Sequence, residues 1–187
     1  RGYDTLPKSP NTDIDLVCHR DSYESIIEVT HKYWGQNSNV TTPLHLDVEG
    51  VDCTYTQWWT TGEFDPEISN GRFTMDTYNH FFFHIKNPVV LSKDFEDEIF
   101  SNGLKARDDY YILKPEYEIL IYGYRNVFDL DGEFKEKHIK IINKLLKENP
   151  NFCDAESLKA FFKGKDKRVD LVIDRVFENI DKQLTFL

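Results

Sequence analysis

The sequence predicts an α/β (α+β) protein: a small mixed sheet within residues 1–113, and a C-terminal helical module over 114–187 packed on it. Three observations carry that expectation. Apolar and polar residues alternate over 13–18, 44–48 and 51–56, the two-residue period of a strand. From Lys114 onward the period lengthens to that of a helix. The length of 187 residues, with 40% hydrophobic and 30% charged, suits one substantial domain or a smaller one with a helical appendage.

Taken in order, Arg1-Gly2 reads as the inside of a motif, and an earlier segment is expected. Residues 3–11, with Pro7, Ser9, Pro10 and Asn11, read as loop. A strand over 13–18 follows. Asp21-Ser22 then resembles a helix N-cap, with Tyr23, Ile26, Ile27 and Thr30 at helical spacing up to Trp34 and Gly35 as the stop. The alternations at 44–48 and 51–56 flank Gly50 and predict a β-hairpin. Residues 57–75 show no clean period, and 78–85 suit a strand or a short helix equally. A short helix is expected at 92–101 and a short strand at 110–113. Pro115 opens a helix whose face carries Tyr117, Leu120, Ile121 and Tyr124. Asp129-Leu130-Asp131-Gly132 breaks it. A second helix runs from Glu133 or Phe134 to Lys147, Asp154 caps a third, and a fourth spans about 167–184.

The formal net charge of −10, from 33 acidic and 23 basic residues, argues against duplex DNA as a partner, because phosphate neutralisation dominates such binding. A small anionic substrate carried with a divalent metal remains compatible, since the metal supplies the local positive charge. No apolar run approaches the ~20 residues that span a bilayer, so no membrane partner is expected. Cys18, Cys53 and Cys153, an odd number at irregular spacing, read as reduced thiols of a cytoplasmic protein.

The chemistry concentrates in Asn11-Thr12-Asp13-Ile14-Asp15-Leu16-Val17-Cys18. On a strand, Asp13 and Asp15 share one face, and such a pair is best tolerated facing water or around a cation. Asp47 stands on a separate strand between Leu46 and Val48. If that strand lies beside 13–18, three carboxylates converge, a donor set that binds Mg²⁺ or Mn²⁺ and leaves positions for water and phosphate. Gly2 suits a turn whose backbone approaches a phosphate closely. The plain alternative is a solvated Asp-x-Asp on an exposed strand. Lys137 and His138, beside Lys135 at the start of the second C-terminal helix, form a basic cluster that meets phosphate or simply faces solvent.

Together Arg1-Gly2-Tyr3-Asp4, the Pro-containing loop, Asp13-Ile14-Asp15-Leu16-Val17 and Leu44-His45-Leu46-Asp47-Val48 resemble the DNA polymerase beta-like nucleotidyltransferase superfamily. That pattern has a Gly-Gly or Gly-Ser turn, a loop, an Asp-x-Asp or Asp-x-Glu strand and a third Asp on a later strand. Here Tyr3 stands where the second small residue of the turn belongs. The stretch from Tyr111 to Leu120, then Glu136-Lys137-His138, also resembles the helical part of uncharacterised members, so the resemblance covers residues 1 to about 140. It implies a nucleotidyltransferase core in which Asp13 and Asp15 bind both metals, Asp47 completes the catalytic metal site and Gly2 lies near the triphosphate. The implied reaction transfers a nucleoside monophosphate from an NTP to an acceptor (small molecule, sugar, protein or RNA) and releases pyrophosphate. Rival expectations are a glycan phosphotransferase of the choline- or ribitol-phosphate type, and a catalytically lapsed member acting as a binding or toxin–antitoxin protein.

Weaker signals accompany these. Trp58, Trp59 and Phe64 suit stacking on a base or sugar, and equally a lid on the core. His45 shares a strand face with Asp47, whereas His80 and His84 lack the companion ligands of a zinc site.

Overall fold

Val48 and Val51 face each other across Glu49-Gly50, both at positive φ (53° and 82°), and this two-residue turn sets the registry of the first sheet. Positive φ at both turn positions matches the twist of the strands it joins, which is why a glycine is needed at the second. In the computed structural model, which describes residues 14–34, 38–40, 43–60, 74–83, 88–107 and 110–184, the chain forms two compact units, Arg1–Phe81 and Phe82–Leu187. It is a mixed α/β protein.

The first unit holds β1 (Ile14–Val17), α1 (Tyr23–Trp34), β2 (Ser38–Val40), β3 (Leu44–Val48), β4 (Val51–Thr60) and β5 (Thr74–Tyr78). The sheet order is β1-β5-β4-β2, with β3 also paired to β4. β1 runs parallel to β5, and the other pairs are antiparallel. Along β4, Thr54, Thr56 and Trp58 are buried and alternate with the half-buried Tyr55 and Gln57. Helix α1 covers the buried face. Its Tyr23 hydroxyl lies 2.6 Å from Thr56 Oγ1, and its His31 ring meets Trp58 edge-on at 4.7 Å. Trp58 is therefore a core residue rather than a stacking platform; Phe64 and the Trp59 side chain lie outside the described residues. A 3₁₀ turn at Arg20–Ser22 leads into α1, so Asp21-Ser22 belong to that turn rather than capping the helix directly.

The second unit begins with β6 (Phe82–Phe83) paired to β7 (Val89–Val90), then α2 (Lys93–Asn102) and a hairpin of β8 (Leu104–Arg107) and β9 (Tyr110–Leu113). Helices α3 (Pro115–Tyr124), α4 (Glu136–Glu148), α5 (Ala155–Phe162) and α6 (Val169–Leu184) complete it. The boundary falls at 81/82 rather than 113/114, because α2 shares its core with the later helices. Phe95 of α2 lies 6.4 Å from the Tyr117 ring of α3 and 5.7 Å from Phe162 of α5. Asp154 caps α5 as its sequence predicts, accepting the Ser157 N–H at 2.8 Å.

A buried carboxylate ties this unit together. Asp166 Oδ1 accepts the Tyr124 hydroxyl at 2.8 Å and the Arg168 N–H at 2.9 Å, while Oδ2 accepts the Ser92 N–H at 3.1 Å. Its side chain is 3% exposed, and the Arg168 guanidinium stands 3.8 Å away. Burial, and then the adjacent Asp166 charge, hold the Tyr124 hydroxyl well above the usual phenol range, so it remains a donor. Asp166→Ala removes all three acceptor contacts, strands the Tyr124 hydroxyl in the core, and is expected to cost about 3 kcal/mol in a urea melt, against about 1 kcal/mol for Tyr124→Phe.

Candidate functional site

The parallel pairing of β1 with β5 places Asp15 in register with Asp76, and the antiparallel pairing of β5 with β4 places Asp76 in register with Gln57. Residues in register on neighbouring strands share a sheet face. Asp76 and Gln57 thus lie on the face opposite Thr56, Trp58 and α1, and Asp15 stands in register with Asp76 along β1. Asp76 is half-buried. Its Oδ1 accepts the Gln57 Nε2 amide at 3.0 Å and the Tyr55 hydroxyl at 3.2 Å. The Tyr55 ring in turn stacks on Tyr78, centroids 5.0 Å apart and planes 28° from parallel. Two donors on one carboxylate oxygen restrict rotation of the group.

Asp47 stands apart from Asp15 and Asp76. Its strand is separated from β1 by β5 and β4, roughly 14 Å at ~4.8 Å per strand. Register also assigns it to the other face: Asp47 pairs with Asp52, which stands an odd number of residues from Gln57 along β4. The adjacency expected of these strands is absent because the Glu49-Gly50 turn commits β3 to β4. Asp47 is exposed, and its Oδ1 accepts the Gly50 N–H at 2.9 Å, which fastens the turn. On that face His45 Nδ1 lies 3.1 Å from Thr54 Oγ1 and 3.7 Å from Asp52 Oδ1.

Gly2 and Asp13 lie outside the described residues, as does the side chain of Asp15. Among the described residues, no group of three His, Cys, Asp or Glu side chains is placed to hold a metal ion. Lys137 and His138 belong to the second unit. Lys137 is exposed in the first turn of α4. His138 is buried: its Nδ1 lies 2.9 Å from Asn126 Oδ1, and its ring sits 5.1 Å from Tyr122. Because Asn126 Nδ2 donates to the Tyr122 carbonyl at 2.6 Å, its Oδ1 is the acceptor and His138 Nδ1 the donor. His138 thus fastens α4 to the π turn at Arg125–Asp129, and the basic surface cluster loses one member to the core.

Asp76 is the residue that sequence reasoning missed. Its signal was the alternation Thr74-Met75-Asp76-Thr77-Tyr78, in which Met75 and Thr77 are buried and Asp76 is not. No family model, curated protein or solved structure matches the chain. Among the described residues, no helix is long and apolar enough to cross a membrane.

Proposed function

We propose that this chain is a metal-dependent nucleotidyltransferase whose carboxylates are Asp13, Asp15 and Asp76, with Asp76 in the role that the sequence pattern suggested for Asp47. The observation that carries the reading is the register of Asp15 with Asp76 on adjacent parallel strands, one carboxylate already oriented by two donors. The donor set fits Mg²⁺ or Mn²⁺, hard cations that take carboxylate oxygens and retain waters for exchange with phosphate oxygens.

The reaction moves a nucleoside monophosphate from an NTP to an acceptor hydroxyl. A new bond forms between that oxygen and the α-phosphorus, the bond from the α-phosphorus to its bridging oxygen breaks, and pyrophosphate leaves. A bound divalent ion supplies charge neutralisation for the triphosphate and lowers the pKa of an attacking hydroxyl. The protein's own contribution is placement: strand backbones fix the spacing of Asp15 and Asp76, and Tyr55 and Gln57 hold the Asp76 carboxylate. Acceptors of the small-molecule, sugar, protein and RNA classes all fit this chemistry.

Mn²⁺ titration followed by electron paramagnetic resonance tests the site without knowledge of the acceptor. Wild-type protein and Asp47→Asn are expected to bind Mn²⁺ alike, whereas Asp76→Asn binds at least tenfold more weakly. Equal affinity in wild type and Asp76→Asn removes the metal site and leaves the reading of a fold without catalysis.

A further inference from the structure

We infer that Tyr55 and Gln57 are positioning residues for the Asp76 carboxylate, acting through it on metal affinity rather than touching substrate. The inference rests on the proposed metal site. It goes further by naming two neutral side chains, neither of them metal ligands, that set how well the site works.

Geometry makes the case. Tyr55 and Gln57 occupy alternate positions of β4 and therefore lie on one face, and both reach the same oxygen, Oδ1 of Asp76. Cross-strand register puts Gln57 directly opposite Asp76, while Tyr55 pairs with Tyr78 and reaches Asp76 from a diagonal position. The Tyr55 ring has little freedom, since it stacks on Tyr78. Tyr78 is itself held through its backbone, whose carbonyl accepts the Cys18 N–H at 2.9 Å. Donors converging from two directions on one oxygen define the carboxylate plane, and thereby the direction from which a cation meets the group. Preorganisation of this kind raises affinity by removing the rotamer entropy otherwise lost on binding.

The test is a double-mutant cycle on Mn²⁺ affinity. Tyr55→Phe keeps the ring and the stack and removes only the donor; Gln57→Leu removes the other donor at similar volume. Each is expected to weaken Mn²⁺ binding by about three- to tenfold, with the thermal melt in the absence of metal changed by no more than a few degrees. In an Asp76→Ala background the same substitutions are expected to leave the residual affinity unchanged, because the group they orient is gone. Mn²⁺ affinity in Tyr55→Phe and Gln57→Leu equal to wild type overturns the inference while the metal site stands. Equal losses in both backgrounds also overturn it, by showing a general effect on the sheet. If wild type itself binds no better than Asp76→Asn, the metal site falls and the inference falls with it.

Discussion

Asp76→Asn is expected to lower pyrophosphate release from NTP by about 10³-fold, ~4 kcal/mol of barrier, while leaving the folded state intact. The amide keeps the volume of the carboxylate, and its oxygen still accepts from Tyr55 and Gln57. The negative charge that a divalent ion requires is lost. Asp47→Ala supplies the contrast. It removes the acceptor for the Gly50 N–H at an exposed turn and is expected to cost less than about 1 kcal/mol, with turnover unchanged. Turnover lost in Asp47→Ala and kept in Asp76→Asn reverses the assignment of the third carboxylate.

The largest effect on stability is expected at Gly123. A Cβ built there falls 2.6 Å from Val172 Cγ1 and 2.9 Å from Val176 Cγ2, both on α6 and both buried. In a helix valine has one strongly preferred rotamer, so neither methyl can swing aside, and α3 and α6 must separate. Gly123→Ala gains ~1 kcal/mol of helix propensity and loses more to overpacking, a net destabilisation of about 2 kcal/mol. Thermal melts should show a fall of roughly 10 °C for a unit of this size. Adding Val172→Ala is expected to restore part of that loss, although Val172→Ala alone destabilises by opening a void. Strict additivity of the two substitutions rules out the close helix crossing as the cause.

Local elements were legible where one face is buried and the other wet. Alternation at 44–48 and 51–56 gave the hairpin, and Tyr23, Ile26 and Ile27 gave α1, because burial imposes its period on the residues themselves. Strand neighbours were not legible. Nothing in Leu44-His45-Leu46-Asp47-Val48 states whether it lies beside β1 or at the far side of β4. That choice is made by the Glu49-Gly50 turn and by which strand reaches β1, and the strand that does, β5, is a five-residue alternation straddling the end of the stretch 57–75 that shows no clean period. The strand adjacency that the resemblance implied for Asp47 is therefore not the one the sheet adopts, since β5 and β4 stand between β3 and β1. His138 carried a readable warning: it stands four residues before Ile142, on the inward stripe of α4 with Ile139 and Leu146. A basic side chain next to Lys137 suggested solvent, and the period would have corrected it.

The parallel pairing of β1 with β5 has a consequence for the order in which the first unit folds. The Cys18 to Tyr78 contact that ends this pair closes a loop of 60 residues, whereas β3 and β4 meet across a two-residue turn. Chain closure over the longer span costs more entropy and is slower, so the hairpin forms early and the pairing of Asp15 with Asp76 is assembled late. A chain caught before that step carries most of its strands but no carboxylate site. In refolding experiments, burial of Trp58 is expected to precede recovery of the proposed Mn²⁺ binding, giving a kinetic window in which the sheet is compact and the β1–β5 pair is not yet formed.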